Sequence, residues 1–214
     1  MSPIVECQLC DELTAGTQGC ALWPKLVGPA SGDRIVLEND AYVALVTVGP
    51  IVRGHCLVVS RAHRLSMTSD DPKSRQLLTE IFQRLAARLQ SIYSEPVLFF
   101  EHGAAEGSDV RPCTVAHAHW HVLPTTLKVE DLLLSEYSWS ECDTPWVHAD
   151  REYLLVGDAC NRYWVTYPET RIPSQLLRKT LAEQSGSTRP WDWRNEPAVE
   201  VALDILADLR EGAI

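Results

Sequence analysis

The chain has 214 residues, 45% of them hydrophobic, which suits one elaborated domain or a domain with a long appendage and excludes a disordered chain. No apolar run nears the roughly 18 residues of a membrane helix, and the opening MSPIVECQLC shows neither a basic leader nor an apolar signal core, so a cytoplasmic protein with no membrane partner is expected. Nineteen Lys and Arg against 29 Asp and Glu leave a net charge of −10, which repels nucleic-acid backbones and argues against nucleic acid as a partner.

Seven cysteines make a complete disulfide framework improbable, and Cys7 and Cys10, spaced Cys-x2-Cys, invite a metal reading. Ile35–Leu37, Tyr42–Val48 and His55–Ser60 are short, apolar or β-branched, and bounded by Asn39-Asp40 and Gly49-Pro50, the pattern of successive antiparallel strands. Over 72–93 the period changes: Leu77, Leu78, Ile81, Leu85, Leu89 and Ile92 mark one face of a helix that starts at Asp71-Pro72. Val97–Phe100 and Val115–Leu123 read as two further strands. Residues 1–125 thus give an α+β domain, a mostly antiparallel sheet of about five strands with one long helix across it. Residues 126–214 read as a C-terminal α/β extension packed on that core. It opens with an acidic loop region, continues with strands at Tyr153–Gly157 and Tyr163–Tyr167, and closes with helices at Ser174–Ala182 and Pro197–Leu209. Five of the seven tryptophans follow residue 138, so this part is packed structure.

The strongest chemical signal is His117-Ala-His119-Trp-His121-Val-Leu-Pro124. On a strand, alternate side chains share a face, so the three imidazoles line a chemical side while Ala118, Trp120 and Val122 face the core. Read from the residues alone, a His-rich surface strand and a three-His zinc site with an open position remain alternatives.

The motif resembles that of the histidine-triad (HIT) superfamily of nucleotide hydrolases and transferases. The likeness extends to Cys7-Gln-Leu-Cys10, to Asn39-Asp40-Ala-Tyr-Val-Ala-Leu, to the segment from Gly54-His55 to His63, and to Phe99-Phe-Glu-His-Gly103. It covers about 120 residues. The extension resembles longer members more weakly, through Ile172–Arg178 and Trp191–Arg194. The resemblance implies a HIT-like fold, a homodimer, and a small-molecule nucleotide substrate, with adenine as the expected base. His119 would attack the α-phosphorus, His121 would hydrogen-bond the phosphate oxygens, and water would release the nucleoside monophosphate. An imidazole with a pKa near 6.5 is a competent nucleophile at neutral pH.

Further substrate contacts fall by the same resemblance on Thr114, Glu101, Thr47 and Val48; His102 is a candidate for its place near the proposed phosphate site, with a packed or hydrogen-bonded histidine as the plainer reading, and Arg111 for its charge in a longer loop before the triad, with a solvated loop arginine as the alternative. Thr114 keeps a hydroxyl where members place a serine. Thr47 stands where members hold the ribose with an aspartate, and Glu101 stands where an asparagine usually meets phosphate. Arg111 would offset that added negative charge. Cys7, Cys10, His63 and His117 match the zinc ligands of zinc-containing members, a closed Cys2His2 set for a structural ion. From the residues alone, a redox Cys-x2-Cys and plain surface thiols remain alternatives there. Gln175 and Arg178 are the polar residues of the extension to watch, and His55 reads as a packed or hydrogen-bonded histidine. The expected activity is hydrolysis of a nucleotide phosphoramidate, with dinucleoside-polyphosphate hydrolysis, nucleotidyl transfer or phosphorolysis, and a non-catalytic zinc-stapled binding module as the competing readings.

Overall fold

The computed structural model describes residues 7–14, 21–28, 32–107 and 115–211. Its elements are α1 (Gln8–Leu13), α2 (Leu22–Val27), β1 (Ile35–Glu38), β2 (Tyr42–Val46), β3 (Cys56–Ser60), α3 (Pro72–Tyr93), β4 (Val97–Gly103), β5 (His119–Pro124), a 3-10 turn (Val129–Leu132), β6 (Ser140–Cys142), β7 (Tyr153–Asp158), β8 (Tyr163–Thr166), α4 (Leu176–Gln184) and α5 (Val199–Glu211). The fold is α+β, with a long helix across an antiparallel sheet. Among the described residues, no helix is long and apolar enough to cross a membrane.

All eight strands join one sheet in the order β1-β2-β3-β5-β4-β7-β8-β6, and every pairing is antiparallel. The five strands expected in residues 1–125 are β1 to β5, and β6 to β8 of the extension enlarge the same sheet. The strand pair of the extension does not stand apart but continues the sheet, β7 pairing with β4 from Leu98↔Asp158 to Gly103↔Tyr153.

Side-chain alternation sends the two faces of the sheet to different covers. Tyr42, Ala44, Val46, Val58, Phe99, Trp120 and Val122 pack against α3 and α5. Helix α3 forms where the period predicts. Asp71 accepts from the Lys73 and Ser74 amides, Pro72 fills the first position, and Leu78, Ile81, Leu85 and Leu89 are buried. On the other face, Val43, Leu45, Leu57 and Val59 lie with the α1 residue Leu9. Leu98, Phe100, Leu123, Leu154 and Val156 lie with Leu177 and Leu181 of α4. This face thus carries two separate covers, an N-terminal helix over one end and α4 over the other. His119 and His121 of β5 lie on the same face, opposite Val59 and Leu57 of β3.

Candidate active site

Hydrogen bonds fix the tautomers of the central histidines. His119 Nδ1 lies 2.7 Å from the His117 carbonyl oxygen. A carbonyl only accepts, so Nδ1 carries the proton and Nε2 keeps its lone pair. Burial pushes the His119 ring down to about 4, partly offset by that same hydrogen bond, so the ring is neutral at physiological pH. A second chain of bonds sets His121. The Ile51 amide donates to His55 Nδ1 at 3.4 Å, which leaves the His55 proton on Nε2, 3.0 Å from His121 Nδ1. His121 Nδ1 therefore accepts and its Nε2–H is a donor. Burial, then the neighbouring His119 and His55 rings, holds His121 well below its ordinary value. His121 also stacks on Phe100, with centroids 4.6 Å apart, which holds the ring plane.

Thr47 and Val48 after β2, Phe100 and His102 of β4, His119, His121, and residues 175–178 with Trp193 line one cleft with the α1 residues Gln8, Leu9 and Glu12. Its interior space is about 60 Å³, room for a few waters or a phosphate-sized group, and it widens to solvent. Among the described residues, Arg34 and Arg178 reach it. Arg34 is bidentate to Glu12 (2.7 and 2.9 Å), whereas Arg178 donates to the carbonyls of Gly49 (2.6 Å) and Trp191 (3.0 Å).

Cys7, Cys10, His63 and His117 gather beside this cleft with their ligand atoms all within 4.8 Å of one another. Cys7 Sγ is 3.3 Å from His117 Nδ1, and Cys10 Sγ is 3.3 Å from His63 Nδ1 and 3.4 Å from His117 Nδ1. A tetrahedral zinc with bonds of about 2.0–2.3 Å separates its ligands by roughly 3.3–3.8 Å, so the four atoms fit such an ion. His117 Nε2 donates to the Ser60 carbonyl at 2.7 Å, which turns the Nδ1 lone pair toward the sulfurs. Four such donors would fill the positions of a tetrahedral ion, the arrangement of a structural site.

A profile of the HIT domain matches residues 29–127. An uncharacterized HIT-like protein of Mycobacterium tuberculosis is 31% identical over 107 residues, which are 49% of this chain and 70% of the relative. The chain belongs to the HIT family. A HIT-like protein of Borreliella burgdorferi is 28% identical over 93 residues, 42% of this chain and 63% of the relative. Solved structures that resemble it include a HIT family protein of Bacillus anthracis (TM-score 0.42, 15% identity, 58% of this chain and 76% of that one). A zinc-bound histidine triad family protein of Mycobacterium smegmatis is another (TM-score 0.37, 18% identity, 56% and 74%).

The HIT segment brings His119, His121, His102, Thr47 and Val48 into the cleft. His102 Nε2 is bonded to Glu152 Oε1 at 2.8 Å, and the Thr47 hydroxyl donates to the Val48 carbonyl at 3.2 Å. Two placements differ from expectation. His117 precedes β5 instead of lying on it, because its ring is claimed by Ser60 on one side and the cysteines on the other. Glu101 points away from the cleft. It is 1% exposed on the α3 side of the sheet, where Oε1 accepts from the Met67 amide (2.7 Å) and Oε2 from Trp120 Nε1 (3.0 Å). A side chain one residue from Phe100 and His102 must face the opposite side, so Glu101 does not face the cleft. Arg111 and Thr114 lie outside the described residues.

Sequence reasoning missed the Glu12–Arg34 pair in the cleft wall. It read His55 as hydrogen-bonded without finding its partner; the signal available was Gly54-His55 at a strand entry opposite the triad strand.

Proposed function

We propose that this HIT protein hydrolyses a nucleotide conjugate at its α-phosphorus through a covalent nucleotidyl-His119 intermediate. The observation that carries the reading is the pair of fixed tautomers, a lone pair on His119 Nε2 beside an Nε2–H donor on His121 in one cleft. In the first step the P–Nε2 bond forms as the bond to the leaving group breaks, and the leaving group departs with a proton. His102 lies in the cleft to supply it. The positive charge this places on the His119 ring is stabilised by its Nδ1–H bond to the His117 carbonyl. In the second step water bonds to phosphorus, the P–Nε2 bond breaks, and the proton that the water gives up returns to His102. The nucleoside monophosphate leaves and the imidazole is restored. The His121 Nε2–H steadies the phosphate oxygens in both steps.

A P–N bond to an amine is the proposed scissile link. Among the described cleft residues the arginines are Arg34 and Arg178, and Arg34 is already neutralised by Glu12. A phosphoramidate brings a single phosphoryl group for Arg178 to meet, whereas a polyphosphate brings further charges for which the described wall holds only the Glu12-paired Arg34. Structural zinc is proposed for Cys7, Cys10, His63 and His117, where it would tie α1 to the segment entering β5. A cytoplasmic homodimer is proposed on the family resemblance alone, and sedimentation at micromolar concentration tests the dimer.

The test is turnover of adenosine 5′-phosphoramidate against diadenosine tetraphosphate, with wild type and His119→Asn. The expected result is a higher kcat/KM for the phosphoramidate, a loss of several orders of magnitude in His119→Asn, and a trapped nucleotidyl adduct by mass spectrometry in wild type. Near-normal turnover in His119→Asn refutes the covalent route, and a preference for the tetraphosphate reverses the choice of bond. Nucleoside diphosphate formed on adding phosphate makes the protein a phosphorylase. No turnover by wild type leaves a binding module.

A further inference from the structure

Helix α4 begins in an unusual way. Pro173-Ser174 offers a good N-cap, yet the helix starts at Leu176 and the capping position falls on Gln175, whose backbone is left-handed (φ 61°, ψ 21°) and whose side chain caps nothing. A glutamine seldom adopts this conformation, and it persists only where the surroundings impose it. Gln175 is 4% exposed and lines the cleft. Its Nε2 donates to Asp192 Oδ1 at 3.0 Å. Asp192 is in turn held by Arg194 through Nε to Oδ1 (2.9 Å) and Nη2 to Oδ2 (2.7 Å), and this guanidinium keeps its carboxyl well below the usual carboxylate range. An ionised carboxylate accepts and cannot donate, so the orientation of the Gln175 amide is decided: NH2 toward Asp192, carbonyl away. That carbonyl, Oε1, is buried with no hydrogen-bond partner among the described residues. A strained backbone and an unanswered buried acceptor thus coincide at one cleft residue, and neither is explained by packing.

Three residues on, Arg178 is 3% exposed, fixed by the Gly49 and Trp191 carbonyls, and in the same cleft as His119 and His121. Positions three apart at a helix start share a face, about 5–6 Å apart. Both residues lie beyond residue 127, where the HIT match ends.

We propose that Gln175 and Arg178 complete the nucleotide site from outside the HIT segment, Gln175 Oε1 accepting a hydrogen bond from a ribose hydroxyl and Arg178 facing the phosphate that His119 attacks. The assignment rests on the reading that a nucleotide occupies the His119 cleft. A hydroxyl is the donor a nucleotide carries close to its 5′-phosphate, and it matches a neutral acceptor held one helical step from the arginine.

The experiment is calorimetric titration of the full, zinc-replete chain with AMP, 2′-deoxy-AMP, 3′-deoxy-AMP and inorganic phosphate. Wild type should bind AMP about tenfold or more tighter than one of the deoxy analogues. In Gln175→Leu that difference should shrink to within about twofold while phosphate affinity holds, and Arg178→Gln should weaken AMP and phosphate alike, by about tenfold. Gln175→Gly guards against misfolding. It suits the left-handed backbone, so its thermal midpoint should equal or exceed that of wild type although hydroxyl discrimination is lost. Wild-type discrimination surviving in both Gln175 variants, or no discrimination in wild type, overturns the proposal while leaving nucleotide binding intact. If wild type binds neither AMP nor phosphate, the reading of the cleft fails and this assignment falls with it.

Discussion

Glu101 should make the protein less stable as the pH rises through the range in which most proteins are at their best. The carboxyl sits on the far side of the sheet from the cleft, and burial pushes it up from 4.5 to about 7, a rise that the hydrogen bonds from Met67, Trp120 and Tyr153 only partly restrain. Below about 4.5 the group is protonated whether the chain is folded or not, and nothing is lost. Between 4.5 and about 7 the unfolded chain releases the proton while the folded chain keeps it, so stability falls with each step in pH. Above about 7 the deficit is constant. At 1.36 kcal/mol for each pKa unit, the gap from 4.5 to about 7 is worth ~3 kcal/mol. Denaturant unfolding of wild type and Glu101→Gln from pH 4.5 to 8, both zinc-saturated, isolates it. The Glu101→Gln change offers one amide oxygen to two buried donors, the Met67 N–H and the Trp120 Nε1–H, so one of them loses its acceptor, which costs roughly 1–3 kcal/mol at every pH. The diagnostic is therefore the slope. The variant should start less stable at low pH and close the gap by ~3 kcal/mol as the pH rises. Parallel curves would refute the reasoning, and a changed affinity for AMP would return Glu101 to the substrate.

Freshly purified protein should carry about one equivalent of zinc, and Cys10→Ser should lower the thermal midpoint by more than about 5 °C, read by metal analysis and scanning calorimetry. His55→Phe removes the Nε2–H that fixes the His121 tautomer and should cut kcat about 10²-fold or more with zinc content unchanged. Gly54→Ala forces a left-handed backbone (φ +79°) and a Cβ 2.6 Å from the Tyr93 ring and 2.7 Å from Pro124, and should cost ~2–4 kcal/mol in denaturant unfolding.

Elements with a strong local signal were legible in the sequence. Helix α3 follows from Asp71-Pro72 and its apolar face, and β1 to β3 from their short apolar or β-branched runs and bounding turns. Helices α1 and α2, six residues each, are too short for a period to show, and α1 is capped by the thiol of Cys7, an unusual cap. The two-faced burial of β4 hides which side each residue takes. Phe99, Phe100 and Glu101 are all buried, so the phase that turns Glu101 from the cleft is set by pairing with β5 and β7, which no local pattern encodes. The metal group was legible because Cys-x2-Cys is local and its partners are few. The tautomer chain through Ile51, His55 and His121 was not, because it joins groups 66 residues apart. Likewise Ser174 looks like the start of α4, and the displacement to Gln175 is visible only in three dimensions.

The β4–β7 ladder has a consequence for synthesis. A ribosome delivers β4 and then about fifty residues more before β7 begins at Tyr153. Once β5 is made, the nascent chain holds it beside an open strand edge, Val97–Gly103, whose Val97, Leu98, Phe99 and Phe100 are apolar, the kind of edge that recruits other chains. Chaperone demand should therefore concentrate in that interval, and slowing translation between codons 103 and 153 should lower soluble yield more than slowing it after β8 has emerged.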